Sequence, residues 1–211
     1  MPTLSYLLAE APRAGPLFTP LSPGCTGTAW QTLLRDGHLV EVREGFALVA
    51  GVDETAALRA GTFAGDVTAG LALARHSAAW VHTGGAPATA RTCVVYRPGT
   101  SRPRTRLWLD AVQAPLRPWD VEDVGGVAVT TPVRTAMDLA TWGTEDQSRQ
   151  ALLRLAAAGA DLRAAAVQLD RTTGWRGARV ARHRLAGAAH QAGQAGLSEQ
   201  AHLAEQARPP R

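Results

Sequence analysis

The chain has 211 residues, 45% of them hydrophobic, and a formal net charge of +4. That length suffices for one or two domains with substantial cores, and no run approaches the ~18 apolar residues of a membrane span. Cys25 and Cys93 stand apart without CxxC spacing, which suits a reduced compartment and speaks against a disulfide framework or a zinc site. The N-terminus lacks the basic and apolar regions of a signal peptide, so a soluble cytoplasmic protein is expected. All 22 basic residues are arginine, and they are unevenly placed. Residues 1–50 carry three arginines against four acids, a net −1. Residues 91–118 carry six arginines and one acid, residues 119–150 two arginines and six acids, and residues 151–184 seven arginines and two acids. Two basic segments thus flank an acidic one, a pattern that fits either binding patches or solvated faces.

In chain order, Thr3–Ala11 reads as a helix capped by Thr3. Prolines and glycines then interrupt regular structure up to Gly24. Thr26–Asp36 reads as a helix with Thr26 or Thr28 as cap, Ala29, Trp30, Leu33 and Leu34 inward, and Gly37 as terminator. His38–Val49 reads as a β-hairpin turning at Glu44-Gly45. Helix, broken segment, helix and hairpin is the order of a winged helix, whose helix before the hairpin enters the major groove. Its outward residues would be Thr28, Gln31, Thr32 and Arg35. Glutamine can pair with adenine and arginine with guanine, each discriminating by roughly 1–3 kcal/mol. Arg43 at the wing tip is expected to meet a phosphate.

Asp53–Asp66 reads as a glycine-interrupted linker with one short helix. Gly70–Thr83 is expected to be a single helix. His76 and His82 lie on it without a carboxylate or cysteine at a ligand spacing, so ordinary polar or capping roles are expected. Arg91–Arg97 and Arg106–Val112 read as strands joined by a basic hairpin tip. There Arg102 and Arg104 are candidate phosphate contacts, though a solvated loop reads the same way. Trp119–Val124 reads as an acidic strand.

Val127–Thr130 alternates as a strand, and Thr131-Pro132 then opens a helix: threonine accepts a backbone N–H, and proline occupies a first position that needs none. Val133, Ala136, Met137 and Ala140 form its apolar face. Arg134 and Asp138, four apart on another face, can pair for about 0.3 kcal/mol. With no nucleophile and base in it, this stretch reads as scaffold. Thr144–Ala158, Asp161–Leu169 and Gly174–His190 read as helices, and another begins at Gly193. The third is basic and amphipathic, with Arg176, Arg179, Arg182 and His183 opposite Ala181, Leu185 and Ala188. The residues imply an α+β fold: a winged helix-turn-helix-like module (1–52), a small α/β unit (53–143) and C-terminal helices (144–211).

The stretch A-L-A-R-H-S-A-A-W-V-H, followed by V-A-V-T-T-P-V-R-T-A-M-D-L-A, resembles the AbiEi family, antitoxins and regulators of type IV toxin–antitoxin systems. The T-P-x-R-T-x-x-D-L-A run is the most specific part of a resemblance spanning Leu4 to Ala204. It implies an N-terminal winged helix, binding to the protein's own promoter as double-stranded DNA, and control of a nucleotidyltransferase-like toxin. Longer relatives carry a nuclease-like domain that is not expected within these residues. Two departures from the family stand out. Phe18–Gly27, F-T-P-L-S-P-G-C-T-G, leaves little room for the helix that normally precedes the recognition helix. The net-acidic module also lacks the usual arginine crowding, and phosphate neutralisation is what supplies non-specific DNA affinity. The alternative is a protein-interaction module with a degenerate wing. No P-loop, G-x-S-x-G or H-E-x-x-H is present, so no catalysis, cofactor or metal is expected. Oligomerisation on DNA is compatible with these readings.

Overall fold

A computed structural model of the protein describes residues 17–22, 25–85, 91–100 and 108–206, with side chains through residue 195. The predicted helix Thr3–Ala11 and the candidates Arg102 and Arg104 lie outside the described residues. The fold is a mixture of helices and two sheets, and no described helix is long and apolar enough to cross a membrane.

The first sheet has three strands in the order β1-β3-β2: β1 Leu17–Phe18, β2 Leu39–Arg43 and β3 Phe46–Val49, all antiparallel. Between β1 and the hairpin runs α1, Gly27–Arg35. The Thr26 hydroxyl accepts from the Ala29 N–H at 3.1 Å, and Gly37, at φ 73°, ends the helix in the conformation glycine adopts without strain. Trp30 packs with Phe18, Leu39 and Ala47 to form this unit's small core.

The second sheet has five strands in the order β6-β5-β4-β8-β7: β4 Leu71–Leu73, β5 Thr92–Tyr96, β6 Leu109–Gln113, β7 Val121–Val124 and β8 Val127–Thr130. It corrects three expectations. Gly70–Thr83 is not one helix. Leu71–Leu73 is a central strand paired with β5 on one side and β8 on the other, and α3 begins only at Arg75 and runs to Thr83. A short apolar run has no periodicity of its own to separate helix from buried strand, and here two flanking strands decide it. Secondly, β5 and β6 pair in parallel, so they are not the two arms of a hairpin. Thirdly, Trp119 and Asp120 belong to a 3-10 turn, Pro118–Asp120, and the strand starts at Val121.

Residues 53–66 are more than a linker. Helix α2, Ala56–Gly61, buries Ala60, and Phe63 follows it into a core with Leu73, Trp80, Val94 and Val129. The Arg59 guanidinium donates twice to the Val81 carbonyl. Helix α4, Pro132–Trp142, forms as expected, with the Thr131 hydroxyl accepting from the Arg134 N–H. It packs with α5 Glu145–Ala157, α6 Leu162–Asp170 and α7 Ala178–Gln206 around Met137, Leu139, Leu152, Leu155, Leu169 and Leu185. Helix α7 runs unbroken from Ala178 to Gln206. The two helices predicted there are one, because a single glycine such as Gly193 costs a helix only about 1 kcal/mol.

The α4–α5 corner is tight. The Ser148 hydroxyl donates to the Leu139 carbonyl at 2.9 Å, and a Cβ on Gly143 would lie 1.8 Å from that hydroxyl and 2.9 Å from the carbonyl. Gly143→Ala is therefore expected to cost about 1–3 kcal/mol, the usual range for overpacking. Urea unfolding checks this, and an unchanged midpoint would show that the corner relaxes freely.

Candidate nucleic-acid interface

The exposed face of α1 brings the first candidates together. Thr28, Gln31 and Arg35 are exposed and Thr32 is half-buried, while Trp30 holds the opposite face in the core. Spacings of three and four residues place them on one side of the helix. The Arg35 side chain is 75% exposed, and its Nε donates to Asp36 Oδ1 at 2.8 Å. That hydrogen bond holds the Asp36 carboxyl below its ordinary range and raises Arg35. A base edge would compete with Asp36 for the guanidinium.

Arg43 is placed otherwise than expected. It turns away from the hairpin tip and into the body of the protein. Its Nη1 donates to the Thr62 carbonyl at 2.7 Å and its Nη2 to Thr92 Oγ1 at 3.0 Å, with Asp66 Oδ2 at 3.4 Å. The guanidinium stacks 4.0 Å from the Phe63 ring centroid, and burial pushes its pKa down. The Thr92 hydroxyl and Trp108 Nε1 complete the shell of Asp66. Arg43 therefore fastens the hairpin to the five-stranded sheet. The charges left at the tip are the exposed Glu41 and Glu44, which repel phosphate.

At the other end of the chain, Arg176, Arg179 and Arg182 are exposed, and Ala181, Leu185 and Ala188 are buried opposite them. Arg176 precedes α7, and Arg182 pairs with Asp170 at 3.0 Å. The neighbouring Arg184 points inward, donating to the carbonyls of Ala140 and Gly143. The histidines have structural surroundings. His82 Nε2 donates to the Thr130 carbonyl, while burial and the nearby Arg75 and Arg154 lower the pKa of His76.

Arg134 and Asp138, expected to pair on a face other than the apolar one, are buried together. Arg134 is 1% and Asp138 0% exposed. Arg134 donates from Nε to Asp138 Oδ1 at 2.8 Å, and from Nη1 to both the Pro115 carbonyl and Asp120 Oδ2. Asp120 also accepts from the Arg117 N–H and from Gln168 Nε2. The Arg134 guanidinium lies 4.8 Å from the Trp175 ring centroid. The i,i+4 spacing signalled the pair, but its burial depended on Asp120, Gln168 and Trp175, which are remote in sequence.

No protein-family model matches the chain, and no curated protein matches it.

Proposed function

We propose that the protein is a DNA-binding transcriptional regulator whose N-terminal unit is a winged helix with one helix replaced by a turn. The observation that carries this reading is the strand order β1-β3-β2 with α1 inserted between β1 and the hairpin. That order presents Thr28, Gln31 and Arg35 on the free side of the helix that would enter the major groove. A turn at Thr19–Ser22, where the Ser22 N–H donates to the Thr19 carbonyl at 3.0 Å, supports the reading that a turn replaces the second helix. With Arg43 withdrawn and the wing tip acidic, the unit reads bases with α1 and relies on other basic surfaces, among them Arg176, Arg179 and Arg182, for phosphate attraction. The resemblance to AbiEi antitoxins extends the proposal to autorepression of an operon encoding a nucleotidyltransferase-like toxin.

Binding to the protein's own upstream DNA, measured by fluorescence anisotropy across a salt series, tests this. Arg35→Ala is expected to weaken the cognate site by roughly 1–3 kcal/mol while leaving random DNA nearly unchanged. Arg179→Ala with Arg182→Ala should weaken cognate and random DNA alike and flatten the salt dependence by about one unit per lost phosphate contact. The inward position of Arg43 favours one alternative, a protein-interaction module with a degenerate wing. Failure of the full chain to bind upstream DNA at low salt would put that reading first.

A further inference from the structure

Two clefts open beside the buried arginine. The first, about 250 Å³, is lined by Arg117, Arg134, Gln168, Arg171 and Trp175 among others. Its acid is already occupied, since both oxygens of Asp120 accept hydrogen bonds within the protein. Its cations are only partly so. Arg134 spends Nε and Nη1 on Asp138, Asp120 and the Pro115 carbonyl, but its Nη2 is buried without a hydrogen-bond partner among the described residues, and neither Arg117, whose guanidinium lies 5.7 Å from the Trp119 ring centroid, nor Arg171 forms an ion pair there. Three arginines set against two carboxylates, Asp120 and Asp138, leave one positive charge in excess and N–H donors unused in a partly desolvated cleft, which favours a phosphate or carboxylate. The second cleft, about 310 Å³, has Trp142 and Trp175 in its wall and shares Pro115, Thr172, Thr173 and Trp175 with the first. The two indoles lie 5.4 Å apart at 43°. This cleft presents flat aromatic surface beside the arginines, and its volume lies at the lower end of the size range of small-ligand pockets, roughly 300–1,000 Å³.

We infer that these paired clefts bind a small ligand joining an anionic group to a flat ring, of the class of nucleoside monophosphates. The phosphate would meet Arg117, Arg134 and Arg171, and the base would lie against Trp142 and Trp175. The near-complete burial of Arg134 favours a small ligand over a duplex backbone. The inference is independent of DNA binding, and its test contains no DNA.

The test titrates the full 211-residue chain with AMP, GMP, CMP and UMP, their nucleosides and inorganic phosphate, followed by calorimetry and tryptophan fluorescence. At least one monophosphate should bind saturably, about tenfold or more tighter than its nucleoside and than inorganic phosphate. Arg117→Ala and Arg171→Ala remove side chains that are not fully buried, and each should weaken that binding about tenfold with an unchanged circular dichroism spectrum. Several results would overturn the inference: no saturable binding up to about 5 mM, equal affinity for nucleoside and nucleotide, equal affinity for inorganic phosphate, or arginine variants that bind as the parent does.

Discussion

Replacing Arg134 with methionine is expected to destabilise the protein by about 3–5 kcal/mol, the cost of removing one partner from a buried ion pair. Against a typical domain stability of about 5–15 kcal/mol, that is a large share. The guanidinium satisfies Asp138, Asp120 and the Pro115 carbonyl at once and stacks on Trp175. Methionine keeps most of the volume and none of the donors. Asp138 would lose its hydrogen-bonded cation and keep only the more distant pull of Arg75, whereas Asp120 would retain the Arg117 N–H and Gln168. Arg134→Lys should recover only part of the loss, because one ammonium cannot reproduce the planar fork. Arg134→Met combined with Asp138→Leu should be less damaging than Arg134→Met alone, since the only carboxylate then left beside position 134 among these partners is Asp120, which keeps its hydrogen bonds from the Arg117 N–H and Gln168. Denaturant unfolding of the three variants decides the matter. A loss below about 1 kcal/mol for Arg134→Met would mean that the network contributes no more than a surface pair.

The second large effect is a dependence on pH. Burial pushes the Asp138 carboxyl up from its ordinary 3.8 to about 6, against the opposing pull of Arg134. Its Oδ2 has no hydrogen-bond partner among the described residues to offset desolvation. Because the folded pKa is raised, the folded protein holds a proton between about pH 4 and pH 6 that the unfolded chain has released. The stabilising contribution of this group is thus fully present below about pH 4, falls as pH rises to about 6, and is lost above that. A shift of this size corresponds to roughly 3 kcal/mol. Other carboxylates contribute slopes of their own, so the measurement is a difference: stability of the parent and of Asp138→Asn at steps from pH 4 to pH 7. From neutral to acid pH the parent should gain stability relative to Asp138→Asn by the amount that Asp138 contributes. Parallel curves would mean that Asp138 titrates as an ordinary aspartate.

How far the sequence reaches differs from element to element. Where an element's signal lies in adjacent residues, it could be read directly. Thr26 and Gly37 bound α1, Glu44-Gly45 turns the first hairpin, Thr131-Pro132 opens α4, and Ala181, Leu185 and Ala188 mark the buried side of α7. Caps, turns and periodic faces are local physics, and local residues determine them. The three-stranded order β1-β3-β2 needed the pairing of Leu17–Phe18 with β3, which no property of two residues reveals. The strand Leu71–Leu73 and the parallel pairing of β5 with β6 likewise depend on neighbours supplied by distant chain. Side-chain direction was decided the same way. Arg43 belongs to a hairpin tip by sequence, but Thr62, Asp66 and Thr92 supply acceptors that solvent-facing placement would leave unused. Arg134 and Asp138 show the difference most sharply. Four-residue spacing determined that they meet. Tertiary packing of Asp120, Gln168 and Trp175 around them decided that they meet out of water, which turns a pair worth a few tenths of a kcal/mol into one whose disruption costs several.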